Sequence, residues 1–227
     1  MLKIEVLSLF PEMMNGVLSS SIMGRAQDKQ AVQITTHDLR NFAKDKHKTV
    51  DDRPFGGGPG MVLKCEPLVE AIEAIKKQEE ATQTKTIYLT PEGRRFNQAV
   101  AAELAQEKRI LLVSGHYEGI DERVRDGWID DEVSIGDYIV TNGVIPALVI
   151  MDAVIRLLPG VLGNEESAEK DSFSGEGILE GPHYTRPAEF KGMKAPEILF
   201  SGNHEAIAAW RQKQGLKRTE ERRKDLI

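Results

Sequence analysis

An α/β fold with a mostly parallel sheet is what this sequence predicts, and two patterns predict it. Short apolar runs, LKIEVLSLF, TIYL and ILLV, alternate with longer stretches of helical periodicity. Successive strands then end in glycine-bearing turns, after Leu89, after Val113 and after Ile135. In open α/β sheets, ligands sit at the carboxyl ends of the strands. Turns of this kind, if they converge, build a pocket largely from backbone N–H and C=O groups. Backbone approaches a ligand closely only where side chains are absent, hence the glycines.

The elements follow in order. Leu2 to Leu9 reads as a strand, and Pro11 opens a helical stretch. Val32 to Thr36 alternates as a second strand. Asp38 to Gly60 is polar, charged and glycine-rich, longer than an ordinary connection and of the length that is usually functional or disordered. Glu66 to Lys77 carries Leu68, Ile72 and Ile75 on one helical side. Thr86 to Leu89 is a short buried strand, closed by Thr90-Pro91-Glu92-Gly93. Asn97 to Gln106 is an alanine-rich helix, and Ile110 to Val113 is another buried strand. Asp121 to Trp128 reads as helical, and Val133 to Ile135 as a strand. A helix from Ala147 to Leu158 follows, with Pro146 among its first residues. It is apolar almost all round, so it must be covered on every side, which suggests a partner subunit. Its charged residues, Asp152 and Arg156, sit four apart on one face. A helix salt bridge worth a few tenths of a kcal/mol accounts for such a pair; so does a functional arginine.

Three regions result: a main domain over 1–161, a charged and then Ser/Gly-rich linker over 162–177, and a small, mainly helical domain over 178–227. In the last, Asn203 is an N-cap for a helix from His204 to Gln212. Gly215 fits its stop, and Thr219 a new start.

The chain has 227 residues, 40% hydrophobic and 29% charged, the composition of a globular protein with a sizeable core. No apolar run is long enough to cross a membrane. One cysteine, Cys65, excludes an internal disulfide or a thiolate cluster, and a cytoplasmic location is the default. The net charge of −6 argues weakly against nucleic acid. Local clustering argues for it: between Arg211 and Lys224, seven basic residues face only Glu220 and Glu221. A solvated terminal helix accounts for the same pattern.

The run Asp51-Asp52-Arg53-Pro54-Phe55-Gly56-Gly57-Gly58-Pro59-Gly60-Met61 lacks the ending of a P-loop, and no dinucleotide fingerprint follows a strand. It reads either as a surface loop or as exposed amides that wrap phosphate or a base, with Lys44, Lys46, Lys48 and Arg53 nearby. No set of side chains shows metal-ligand spacing, and there is no nucleophile elbow. Asp171, in the linker, is by itself an ordinary solvated carboxylate.

Taken together, the runs LSLFPEMM, DDRPFGGGPGMVLKCEPL, YLTPEG, LVSGHYEGIDERV, GDYIVTNGVIPALVIMDAVIRLLPGVLG, KDSFSGEGILEGPHYTRP and SGNHEAIAAWR resemble the bacterial tRNA (guanine-N1)-methyltransferases, the TrmD-type enzymes of the SPOUT class. The runs stand in the family's order and cover nearly the whole chain. The resemblance implies methyl transfer from S-adenosylmethionine to N1 of the guanosine just 3′ of the tRNA anticodon. It also implies a deep trefoil knot, a rare feature, and an obligate homodimer with a composite active site. Position by position, it implies cofactor contacts from Tyr88, Leu89 and Pro91, from Gly115, Tyr117 and Glu118, and from Ile135, Gly136, Asp137, Tyr138, Ile139, Val140, Gly143 and Pro146. Asp171 matches the family's general base and Arg156 its electrostatic partner. Asp52, Gly57, Gly58 and Gly60 of the loop, with His183, Arg186, Arg218 and Arg222 near the end, are implied to hold the anticodon arm. The resemblance leaves room for magnesium, for which no ligand cage is visible.

Departures from the family pattern are Asn142, where glycine is usual, Val144, where an acid is usual, His116 for a frequent arginine, and Lys224 for a frequent proline. Asparagine tolerates positive φ, so the turn at Asn142 is expected to survive. Methylation of another RNA position and a non-catalytic RNA-binding protein are the competing readings.

Overall fold

The computed structural model describes residues 1–79, 81–163, 171–173 and 178–227. The expected linker over 162–177 therefore falls largely outside the described residues. The chain divides into two compact units, Met1–Gly163 and Asn164–Ile227.

The first unit is a parallel sheet covered on both faces. In chain order its elements are β1 (Leu2–Ser8), a 3₁₀ turn at Pro11–Met14, α1 (Asn15–Leu18), α2 (Ser21–Asp28), β2 (Val32–Asp38), a 3₁₀ turn at Leu39–Phe42, β3 (Asp51–Asp52), β4 (Val62–Leu63), α3 (Cys65–Lys77), β5 (Lys85–Arg95), α4 (Gln98–Leu104), β6 (Arg109–Ser114), α5 (Glu122–Trp128), β7 (Asp131–Ser134) and α6 (Val144–Ile155). The five-stranded sheet has the order β2-β1-β6-β5-β7, every pairing parallel. Successive side chains point to opposite faces. Ile110 and Leu112 join one core with α2, α4 and α6, while Leu111 and Val113 join the other with α3 and α5. Both faces of β6 are thus buried, and the strand reads as an unbroken apolar run.

The sheet tolerates charge at one buried place. Arg109, 0% exposed, donates through Nη2 to Glu5 Oε1 at 3.1 Å and to the Ile75 carbonyl at 2.7 Å. It thereby ties β6 and β1 to the last turn of α3. Glu5 also meets His37 Nε2 at 2.6 Å. Burial alone would raise the Glu5 pKa, but the hydrogen bonds from His37 and Arg109 outweigh it and hold the carboxyl below its usual range. This network lies toward the amino end of β6, away from the glycine-bearing turns.

Several expectations need correction. β5 does not stop at Leu89 but runs to Arg95. Leu89 and Arg94 both pair with Val133, so residues 90–93 bulge out of the strand, which then resumes against β7. The bulge begins where Pro91 offers no N–H to the ladder. The long segment after β2 is not structureless: it contains the 3₁₀ turn and a hairpin in which Asp51 pairs with Leu63. Helix α6 spans Val144–Ile155 rather than Ala147–Leu158. Its first bond runs from Ala147 N–H to the Gly143 carbonyl, and its end tightens into i→i+3 bonds at Leu157 and Leu158, just before Pro159.

In the second unit, β8 (Glu189–Phe190) and β9 (Met193–Lys194) form a small hairpin, followed by α7 (His204–Arg222). Asn203 caps α7 by accepting the Ala206 N–H at 3.1 Å, as expected. Gly215 and Thr219, however, are not a stop and a restart. The helix runs through both, because the chain at Leu179–Gly181 lies directly against it. A Cβ on Gly215 would stand 2.4 Å from the Leu179 carbonyl oxygen. Thr219, fully buried, accepts the Leu179 N–H at 2.9 Å and donates to the Gly215 carbonyl at 2.9 Å. Gly215→Ala should therefore destabilise the second unit by about 1–3 kcal/mol through overpacking, against a helix-propensity gain of about 1 kcal/mol. Denaturant unfolding followed by Trp210 fluorescence measures it, and a variant as stable as the wild type would contradict the close packing.

Candidate active site

Three neighbouring strands, β6, β5 and β7, bring their carboxyl ends to one place, and the chain beyond each shapes a cavity of about 480 Å³. That lies within the range of small-molecule sites. The first wall is the β5 bulge with Leu89, Pro91 and Glu92. Arg125, from α5, holds this wall in position. It meets Glu92 at 2.6 Å, Glu132 at 2.8 Å and Glu122 at 3.0 Å, and its guanidinium lies 5.8 Å from the centre of the Tyr88 ring. Burial pushes the Tyr88 hydroxyl pKa up.

The second wall follows β6, from Gly115 to Ile120. A Cβ on Gly115 would come within 3.0 Å of the Tyr88 ring, so the aromatic and the bare backbone are already in contact. Tyr117 holds a φ of 55°, an outlier for a bulky residue that a packed surround must maintain. The wall is pinned from behind by the hairpin segment: Glu118 N–H donates to the Met61 carbonyl and Leu63 N–H to the Gly119 carbonyl, both at 3.0 Å.

The third wall follows β7. Ser134 Oγ accepts the Gly136 N–H at 3.2 Å, and the Tyr138 N–H reaches the Gly136 carbonyl at 2.9 Å. That second bond closes a three-residue turn whose apex is Asp137. The chain then crosses the end of β6. Gly143 N–H donates to the Gly115 carbonyl at 2.9 Å, and a Cβ on Gly143 would stand 2.7 Å from Ser114 Cα. Only glycine lets these two backbones touch. Asn142 Oδ1 accepts the N–H of Val144, the first residue of α6, at 2.9 Å. Asn142 is not among the residues with positive φ, so its place in the turn rests on its side chain rather than on left-handed backbone.

All the cofactor positions expected from the sequence line this cavity except Asp137, which is exposed at its turn apex. Lining residues that the sequence reading did not assign to the pocket include Glu92, Arg125 and Ser134. The sequence shows only the i,i+3 neighbour Glu122 of Arg125; its other acidic partners, Glu92 and Glu132, come from β5 and β7. His116 also lines the cavity. Its ring meets Phe10 at 5.2 Å and Tyr117 at 4.3 Å, and its Nδ1 is buried with no hydrogen-bond partner among the described residues. Burial, and then the nearby Arg40 guanidinium, lower its pKa.

Arg156 is the C-cap of α6, partly buried, with its N–H on the Asp152 carbonyl at 3.3 Å. Asp52 accepts the Arg53 N–H at 2.7 Å at the root of the glycine loop, in which Gly57, Gly58 and Gly60 all have positive φ. Asp171 belongs to the second unit. Its neighbour Ser172 accepts the Glu180 N–H at 3.0 Å, and Phe173 sits under the Arg223 guanidinium at 5.5 Å. There, too, His183 Nε2 lies 2.9 Å from Glu180 Oε1, Arg218 reaches the Glu180 carbonyl at 3.5 Å, and Arg186 and Arg222 are exposed. Among the described residues no group of three His, Cys, Asp or Glu is placed to hold a metal, and no helix is long and apolar enough to cross a membrane.

A parallel sheet whose adjacent strands close on a backbone-lined cavity of this size defines a small-molecule-binding α/β protein. The family profile described as tRNA (Guanine-1)-methyltransferase TrmD matches residues 2–227, and the chain belongs to that family. It is 53% identical to the tRNA (guanine-N(1)-)-methyltransferase of Listeria monocytogenes, over 100% of this chain and 92% of that protein. It is 54% identical to the proteins of the same description from Anoxybacillus flavithermus and Carboxydothermus hydrogenoformans, over 100% of this chain and 91% and 87% of theirs.

The lowered His116 pKa has a definite consequence. The folded state resists the proton that the unfolded chain accepts near the ordinary value of 6.5, so this residue subtracts stability as pH falls through that value. Stability should drop between about pH 7.5 and pH 5.5, and His116→Phe should flatten that drop. Urea unfolding at the two pH values checks it; parallel losses in both proteins would contradict the assignment.

Proposed function

We propose that the enzyme transfers a methyl group from S-adenosylmethionine to N1 of the guanosine just 3′ of the tRNA anticodon. The observation that carries this reading is the cavity at the ends of β6, β5 and β7, in a chain matched to the family over its full length. A cavity walled by Gly115 and Gly143 backbone, with the Glu118 carboxylate on its rim, fits a flat base, a ribose and an ammonium group together. When bound, S-adenosylmethionine supplies an electrophilic methyl group. The walls would hold it through Tyr88, Leu89, Pro91, Tyr117, Glu118, the Ile135–Val140 stretch and Pro146.

The remaining chemistry belongs to the chain. Guanine N1 carries a proton and is a poor nucleophile until it leaves. Asp171 takes that proton as general base. Negative charge then spreads onto guanine O6, and the Arg156 guanidinium stabilises it. N1 lies on the Watson–Crick edge, so the base must be splayed out of its stack. Asp52, Gly57, Gly58, Gly60, His183, Arg186, Arg218 and Arg222 hold the anticodon arm. The exposed basic residues of α7 supply phosphate contacts.

Asp171 and Arg156 lie in different units, and a homodimer in which one subunit's Asp171 serves its partner's pocket would bring them together. Two apolar side chains on one face of α6 support that assembly: Ile145 is 42% exposed and Val149 43%. Functionally, 1–161 binds the methyl donor, 162–177 links the two domains, and 178–227 binds tRNA. The family resemblance implies a trefoil knot behind the pocket.

Labelled S-adenosylmethionine tests the reading with transcripts that carry guanosine or adenosine 3′ of the anticodon. Incorporation is expected into the first alone. Asp171→Asn should slow single turnover by about 10²–10⁴-fold with tRNA still bound. Incorporation into both would move the target elsewhere, and a full rate in Asp171→Asn would remove the base assignment.

A further inference from the structure

We propose that Phe55 is a stacking platform for an unpaired nucleobase of the RNA substrate. The inference rests on the methyltransferase reading and adds a positioning residue to it. Lone exposed apolar side chains are ordinary, but this one is set apart by its surroundings. Phe55 is 100% exposed, more than any other large apolar side chain among the described residues. It is followed by Gly56, Gly57, Gly58 and Gly60, with φ of 84°, 79°, 121° and 85°. A Cβ on Gly56, Gly57 or Gly58 would meet nothing within 4 Å. Space does not demand these glycines; the left-handed backbone does. The ring therefore stands on a shaped ribbon with no side chains beside it on the Gly56–Gly58 side.

The ribbon is fastened to the candidate active site at its far end. A Cβ on Gly60 would lie 2.3 Å from Glu118 Oε1, and the Met61 carbonyl accepts the Glu118 N–H at 3.0 Å. Glu118 lines the cavity. Between Arg53 and Met61 the segment carries one cation, Arg53, and no acid. A bare aromatic face, bare amides and a cation are what an unstacked base and its phosphate need. A base forced out of its stack loses its neighbours' faces, and the Phe55 ring replaces one of them.

Phe55→Ala removes a ring that packs against nothing, so the variant should fold as the wild type does. It should lower kcat/KM for tRNA at least about tenfold, through KM, as the loss of one base–aromatic stack implies. Affinity for S-adenosylmethionine should not change, and Phe55→Tyr should restore most of the loss. The added emission of Phe55→Trp, relative to the wild type, should be quenched by the tRNA transcript. Wild-type kcat/KM in Phe55→Ala, or emission of Phe55→Trp that tRNA leaves unmoved, would overturn the inference. If the wild-type enzyme itself incorporates no methyl, the parent reading fails, and quenching of Phe55→Trp by tRNA then decides the stacking by itself.

Discussion

The contact between Gly143 and the Ser114–Gly115 backbone is the constraint on which the candidate active site depends. β7 is an edge strand and β6 is central, with β5 between them. The chain leaving β7 must cross that width to reach α6. It does so by laying Gly143 on the end of β6, where its N–H meets the Gly115 carbonyl at 2.9 Å. Any side chain there would stand inside van der Waals contact of backbone, which cannot rotate away. The second and third walls of the cavity are thus one hydrogen-bonded surface, and α6 starts from it. The position of Arg156 at the other end of α6 follows from the same contact, because a helix of that length is a stiff rod.

The first unit separates stability from chemistry along its strands. At the amino end of β6, Arg109 is buried and its Nη2 is held by Glu5 and the Ile75 carbonyl, while its Nε has no hydrogen-bond partner among the described residues. Removing Glu5 would strand the guanidinium charge in the core. At the carboxyl end the same sheet presents backbone, glycine and partly exposed aromatics. The apolar run of β6 joins the two ends, buried on both faces, so the network at one end steadies the walls at the other.

Much of this was visible in the residues. The strand runs, the helix cap at Asn203 and the three converging turns all follow from local chemistry, whereas Asn97 and Asp121, read as first helical residues, prove to be caps. What escaped depends on segments distant in the chain. Gly215 looks like a helix stop because glycine is a poor helix former, yet the Leu179 carbonyl needs the space. Residues 90–93 look like the end of a strand because proline breaks the ladder, yet Val133 of β7 pairs a second time, with Arg94 of β5. Arg125 looks like one more surface charge, and only the fold brings Glu92 and Glu132 to it. In each case a local preference is right about the residue and silent about its neighbour.

The claim that two touching backbones make the methyl-donor pocket is tested most directly by calorimetric titration of Gly143→Ala with S-adenosylmethionine. A methyl group at that position should part the second and third walls. The expected result is an affinity at least about tenfold weaker than the wild type, in a protein that still unfolds cooperatively. Wild-type affinity in the folded variant would contradict the account, because the pocket would then be standing without the contact said to build it.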